Sequence, residues 1–208
     1  MAVAIYYDRD VRRFRYSNGA FASREAVIYQ SRVYLRETQK EFIELGQRLK
    51  SDPRNQDIQE LMIEKLKAIH ITNGLIAAGG SDRLFANDYL TIGRILRSQY
   101  GQSENNPSPY GLRFLFDEIT AGSVSDKRLS QRLEMYAKSG KTSFFAVEKN
   151  KKELEGATRA KRVLNAKDKS CNECRSYSSL NFVPISELVL PTVGCSCKSN
   201  CKCTVIYQ

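Results

Sequence analysis

The sequence predicts a mainly α fold: a helical body with an N-terminal extended arm or hairpin and a small C-terminal module of irregular or β structure. Three observations predict it. Apolar residues recur at helical spacing through most of residues 23–166. A hydrophobic share of 41% over 208 residues is enough to bury a core if such helices pack on one another. All six cysteines, Cys171, Cys174, Cys195, Cys197, Cys201 and Cys203, fall within the last thirty-eight residues. Thiols used as ordinary small hydrophobes would scatter through the core, so this tail is a separate unit with a local task. The expected division is an arm over 1–22, a helical body over 23–166 and a cysteine-rich module over 167–208.

Taken in order, the arm reads as extended. Arg13-Phe14-Arg15-Tyr16 and Phe21-Ala22-Ser23 alternate on either side of Asn18-Gly19, a strong hairpin-turn signal. Ser23 is placed to cap a long helix with Val27, Tyr34, Leu35, Phe42, Leu45 and Leu49 on its apolar face, and Ser51-Asp52-Pro53 ends it. A second helix is expected from about Asn55 to Leu75, burying Ile58, Leu61, Met62, Leu66, Ile69 and Leu75. Ala77-Ala78-Gly79-Gly80 breaks it. Ser81 then caps a third helix carrying Leu84, Phe85, Tyr89, Ile92, Ile95 and Leu96, which stops near Tyr100-Gly101.

Residues 102–111 contain Pro107 and Pro109 and read as a polar hinge or contact loop. A short helix from Leu112 to Thr120 and a Gly-Ser turn lead into a fifth helix from Ser125, with Leu129, Leu133 and Tyr136 inward and an end at Ser139-Gly140. Beyond it, Phe144, Phe145 and Val147 introduce a further, mostly charged helix that runs through Ala160, Val163 and Leu164.

The formal net charge of +10 makes polyanions the first partners to consider: nucleic acid, an acidic protein surface or anionic lipid. The opening Met1-Ala-Val-Ala-Ile-Tyr-Tyr-Asp8 lacks the basic segment and apolar core of a secretory signal, and no apolar run is long enough to span a bilayer. The expectation is a protein made and used in a cytosol, with no membrane partner. Positive charge is concentrated from Lys138 to Lys169, through Lys141, Lys149, Lys151, Lys152, Arg159, Lys161, Arg162 and Lys167. Within it Lys149, Lys151, Lys152, Arg159, Lys161 and Arg162 are the candidate contacts for nucleic acid or an acidic partner. The plainer reading is a solvated face, since Glu148, Glu153 and Glu155 interrupt the run.

The cysteines carry the clearest chemistry. Cys171-x-x-Cys174 puts two thiolates on one tight turn where both reach one ion, and a second set downstream completes a tetrahedron. That second set is drawn from four candidates. Cys201 and Cys203 are in phase on an apparent strand, and Cys197 precedes Cys201 at a knuckle-like spacing. The ligands are therefore Cys171 and Cys174 with two of the other four, Cys197, Cys201 and Cys203 foremost, holding one structural zinc ion per chain. Two metals sharing ligands, and disulfides or free thiols, stay open as alternatives, with a reducing compartment favouring metal.

Catalytic patterns are not found. The lone histidine, His70, lies on the second helix far from the cysteines and reads as a packed or solvated residue. Ala77-Ala78-Gly79-Gly80-Ser81 lacks the Lys and Ser/Thr of a phosphate loop. Asp117 and Glu118 are adjacent on a helix and point apart. The expectation is a protein that is not an enzyme.

The tail has a further likeness. Arg162-Val-Leu-Asn-Ala-Lys-Asp168-Lys-Ser-Cys171-Asn-Glu-Cys174, then Val183-Pro184-Ile185, Leu190-Pro191 and Asn200-Cys201-Lys202-Cys203-Thr-Val-Ile206, is similar to the C-terminal signature of tailed-phage head morphogenesis proteins, the Mu F-like minor head proteins. The match covers about the last fifty residues, and Cys171, Cys174, Cys201 and Cys203 take the family's cysteine positions. Many members carry a histidine shortly before the final Cys-x-Cys, where this chain has Cys197 as the nearest substitute. Arg13-Phe-Arg-Tyr-Ser-Asn-Gly19-Ala-Phe21-Ala-Ser23 also looks like the opening of phage head-associated chains.

The resemblance implies a non-enzymatic virion component, made in the host cytoplasm and built into the head, portal vertex or neck. Its partners would be portal, major capsid or neck proteins and packaged DNA, and it would be a homo-oligomer within a symmetric assembly. The alternative is a nucleic-acid-binding zinc protein that uses a basic helix around residues 138–169, and a metalloenzyme such as a nuclease or hydrolase ranks last.

Overall fold

The computed structural model describes residues 5–101, 110–165 and 170–208, and among them holds six α-helices and five strands. The chain opens with β1 (Ile5–Asp8) and β2 (Arg13–Tyr16), paired antiparallel with Ile5 opposite Tyr16. The Asn18-Gly19 turn follows. The Gly19 N–H donates to the Tyr16 carbonyl, and Phe21 is bridged back to Arg15. The arm is thus a hairpin with a second, single-residue return.

Five helices form the body: α1 (Arg24–Ser51), α2 (Gln56–Ala78), α3 (Ala86–Tyr100), α4 (Leu112–Thr120) and α5 (Asp126–Leu154). The three long ones begin where a short polar side chain accepts from an otherwise orphan amide: Ser23 from Ala26, Asn55 from Ile58 and Ser125 from Arg128. Helices α1, α2 and α5 pack on one another, and α3 lies against α2 and α5. Phe42, Leu49, Met62, Leu66, Ile69 and Leu133 are fully enclosed between them.

At the end of α2, Gly79 takes a φ of 82°, which favours glycine, and its carbonyl accepts the Tyr7 N–H at 2.8 Å. A Cβ there would lie 2.5 Å from that of Tyr7, so the glycine is what seats the hairpin on the body.

Several expectations need correction. Leu61 is exposed, because it falls roughly 100° around α2 from Met62 and off the buried line. Ser81 opens only a 3-10 turn, Ser81–Arg83. Helix α3 starts later, at Ala86, where the Asp88 carboxylate accepts the Phe85 N–H at 2.9 Å, and Phe85 and Tyr89 face solvent. Residues 102–109 of the expected polar loop lie outside the described residues.

Ser139-Gly140 does not end a helix. A Cβ on Gly140 would meet Ile69 at 2.7 Å and Asn73 at 2.8 Å, so the glycine admits α2 closely against α5, and α5 continues for a total of 29 residues.

The charged helix expected through Ala160 and Leu164 is not formed. Residues Arg159–Val163 are strand β3, the centre of an antiparallel sheet ordered β4-β3-β5, with β4 at Val183–Pro184 and β5 at Thr204–Tyr207. Ala160 and Arg162 point inward and their neighbours outward, the two-residue alternation of a strand. The module therefore starts upstream of residue 167, and the helical body ends at Leu154. No helix among the described residues is long and apolar enough to cross a membrane.

Helix α5 is the platform on which the module sits. Glu148 accepts two hydrogen bonds from Arg24 of α1, at 2.6 and 2.8 Å, and one from the Tyr207 hydroxyl of β5 at 3.3 Å. Thr142 bonds Thr192 at 2.7 Å, and Lys141 donates to the Cys201 carbonyl at 2.6 Å.

Candidate metal centre

Each cysteine is positioned by a short piece of local structure. Cys171 caps helix α6 (Asn172–Ser179), and its sulfur accepts from the Cys174 N–H at 3.4 Å, so both thiols share the first turn and face one point. Cys195 and Cys197 follow a tight turn through Thr192 and Gly194, both with positive φ. Cys201 and Cys203 flank the approach to β5, after a 3-10 turn at Lys198–Asn200.

The six sulfurs form one cluster, with Cys174, Cys195, Cys201 and Cys203 buried. Cys171, Cys174, Cys195 and Cys197 make one close group, and Cys174, Cys201 and Cys203 a second, so Cys174 belongs to both. The Sγ···Sγ separations are 3.5 Å for Cys171 and Cys197, 3.4 Å for Cys174 and Cys197, 3.5 Å for Cys195 and Cys197 and 3.7 Å for Cys174 and Cys201. A tetrahedron with metal–sulfur bonds of about 2.3 Å has edges of about 3.8 Å, so the first group has the size and number of sulfurs for one ion. All six are free thiols. The cluster can hold a metal ion. The geometry brings all six cysteines together and places Cys195, which strand phase and knuckle spacing do not favour, in the first group.

The interior of this cluster also contains Arg162. Its guanidinium donates to the sulfurs of Cys174 and Cys201 at 3.1 Å and of Cys195 at 3.4 Å, and reaches the Val189 and Leu190 carbonyls at 3.5 and 3.4 Å. Tyr177 lies 5.1 Å from it, ring centroid to guanidinium carbon. Arginine keeps its proton in proteins, so a residue 2% exposed here requires negative sulfur around it. Burial works against its charge, but hydrogen bonds to Cys195 and Cys203 and the charge of Cys201 outweigh burial and raise its pKa.

The thiols respond unequally. Burial opposes ionisation of Cys201, yet the Thr192 and Cys203 amides and Arg162 bring its pKa down to about 6. Cys171, also against desolvation, is held at about 7 by the Cys174 amide and thiol. Cys174 and Cys197 are pushed well up, first by desolvation and then by the neighbouring sulfurs. One guanidinium thus compensates for part of the cluster, and full ionisation needs a further cation.

The basic contacts expected from the sequence do not form one face. Lys151 is 3% exposed and pairs with Asp88 inside the body, and Arg162 is the buried residue just described, so neither is a surface contact. Lys149 lies 3.8 Å from Glu153 and Lys152 2.6 Å from Glu155. Arg159 donates to the Phe182 carbonyl at 2.5 Å, and Lys161 is half-buried on β3. Lys167, Asp168 and Lys169 lie outside the described residues.

The interior role of Arg162 was missed because its segment reads as one basic run. Its only sequence signal is the two-residue alternation with Ala160. His70 is fully buried between Ser143 at 2.7 Å and Ser139 at 3.0 Å, and burial lowers its pKa to about 3. Ser139 gives its own proton to the Tyr136 carbonyl, so the neutral ring donates from Nε2 to Ser139 and accepts at Nδ1 from Ser143.

No protein-family profile, curated protein or solved structure matches this chain.

Proposed function

We propose that this protein is a non-enzymatic structural component of a tailed-phage virion, a minor head protein at the capsid, portal or head-to-tail neck, with a zinc ion closing its C-terminal module. The observation that carries this reading is the gathering of all six cysteines, those at the signature positions Cys171, Cys174, Cys201 and Cys203 among them, in one cluster where Cys174 joins two close groups. In this reading Cys171, Cys174, Cys195 and Cys197 hold the ion. Four thiolates suit zinc, and a site with all four positions filled by protein is of the structural kind, without the open position that catalysis uses.

The metal would fasten α6, the loop before β5 and the sheet to the platform of α5, giving a firm foot for contacts with portal, major capsid or neck proteins in a symmetric assembly. Mass spectrometry of purified virions tests it. The protein is expected in the particle at modest copy number, and its absence from a sensitive measurement overturns the reading.

A further inference from the structure

Between α1, α5 and the cysteine module lies a cleft of about 310 Å³. Arg32 and Arg36 enter it from α1, Lys138 and Lys141 from α5, and Lys202 from the loop before β5, while among the described residues no acidic side chain lines it. The two arginines are one helical turn apart and share a face, as do the two lysines of α5.

In the helical body the buried cations have carboxylates beside them, as Lys151 has Asp88 and Arg132 has Glu118. Here the pattern reverses. Among the described residues Arg32, Arg36 and Lys202 form no salt bridge, and Lys138 has only Glu134, four residues back on its own helix. Lys141 is held in place by its bond to the Cys201 carbonyl, which fixes an ammonium group at the wall of the cleft. Five positive groups converge from three segments on one concave space, at a cost in mutual repulsion that a bound anion would relieve.

We propose that this cleft is a phosphate-binding site, filled by backbone phosphates of a nucleic acid or by a small phosphate compound. Phosphate concentrates its charge and acceptor oxygens in a small tetrahedron, and the forked donors of Arg32 and Arg36 match it. An acidic peptide spreads single charges along a strand and would need a longer groove with apolar footholds, whereas among the described residues Leu35 is the one aliphatic side chain in the lining. The site is independent of the virion reading. It also moves the basic contact away from Lys149, Lys152 and Arg159 to a surface that only the packing of α1 against α5 assembles.

The test uses the full chain with two probes, a labelled 20-base-pair duplex and pyrophosphate, at about 50 and about 200 mM salt. Arg32 and Arg36 are exposed, so the variant Arg32→Gln/Arg36→Gln should keep the wild-type thermal transition. It is expected to lose at least about tenfold in affinity and to reduce the salt slope for the duplex by about two, while Lys149→Gln/Lys152→Gln changes affinity less than about twofold. Binding of the duplex alone assigns the site to a nucleic-acid backbone, and equal or tighter binding of pyrophosphate assigns it to a small phosphate. The proposal is overturned if neither probe binds at the lower salt, if the two double variants lose affinity equally, or if a glutamate-rich peptide competes as well as pyrophosphate.

Discussion

In the helical body, Phe42, Leu49, Met62, Leu66 and Leu133 are withdrawn from water between three long helices, whereas the module from Arg159 onward joins that same core through Ala160, Ile185, Leu188 and Val205 and has as its own interior four buried cysteines and a guanidinium. Each large aliphatic or aromatic side chain buried in the body contributes roughly 1.5–3 kcal/mol, and the helices supply many. The module is too short to bury such a core of its own. What replaces it is sulfur and charge, so the two regions should respond to different insults.

The largest difference is expected on metal removal. Chelation, or Cys174→Ser at the sulfur common to both groups, should unfold the module with a loss on the order of 10 kcal/mol of metal-linked stability, while the helical circular dichroism of the body persists. Limited proteolysis followed by mass spectrometry would place the new cuts beyond Leu154. Cuts spread evenly through α1 and α2 would erase the distinction.

Next in size is the buried ion pair of the body. Asp88→Ala strands the Lys151 ammonium and should cost about 3–5 kcal/mol in denaturant unfolding, and Asp88→Leu combined with Lys151→Met should recover part of it, the rest being the acceptor that the Phe85 and Asn150 N–H groups lose. Metal retention is expected to stay at the wild-type level in both variants, which sharpens the contrast with Cys174→Ser.

Acid gives a third comparison. Burial lowers the folded pKa of His70 to about 3, below the ordinary histidine value of 6.5, so the unfolded chain takes the proton more readily. Its contribution is complete above pH 6.5 and is lost as pH falls from there toward 3, at about 1.4 kcal/mol per pH unit. Urea unfolding of the body at pH 7, 5 and 4 should show this slope, and His70→Gln should flatten it. An identical slope in the variant would assign the acid sensitivity to carboxylates. The smallest effect is Ser23→Ala, which removes the acceptor for the Ala26 N–H and should lower stability by about 1 kcal/mol without touching the module.

The same contrast explains what could be read from residue order. The ends of α4, the N-terminal caps Ser23, Asn55 and Ser125 and the stop at Gly79 are local chemistry, and each is written within a few residues. Ser139-Gly140 is ambiguous by the same local rules, because small residues end a helix in one setting and admit a neighbour in another. Only Ile69, Asn73 and His70, about seventy residues upstream, decide in favour of close packing. Strand β3 was hidden for a related reason. Its inward arginine makes sense only beside sulfurs supplied 12, 33 and 39 residues later. The cysteines announced at once a cluster able to hold a metal, while the grouping that sets Cys195 with Cys171, Cys174 and Cys197 depends on the turn through Thr192 and Gly194.

The most direct test of a metal-tied module is elemental analysis of the reduced, purified chain combined with a count of reactive thiols before and after chelation. About one zinc per chain is expected, with all six cysteines protected in the native protein, four as ligands and Cys201 and Cys203 by burial, and all six reactive once zinc is removed. A metal-free chain whose six thiols react alike, and whose module is as resistant to protease with chelator as without it, would contradict the account.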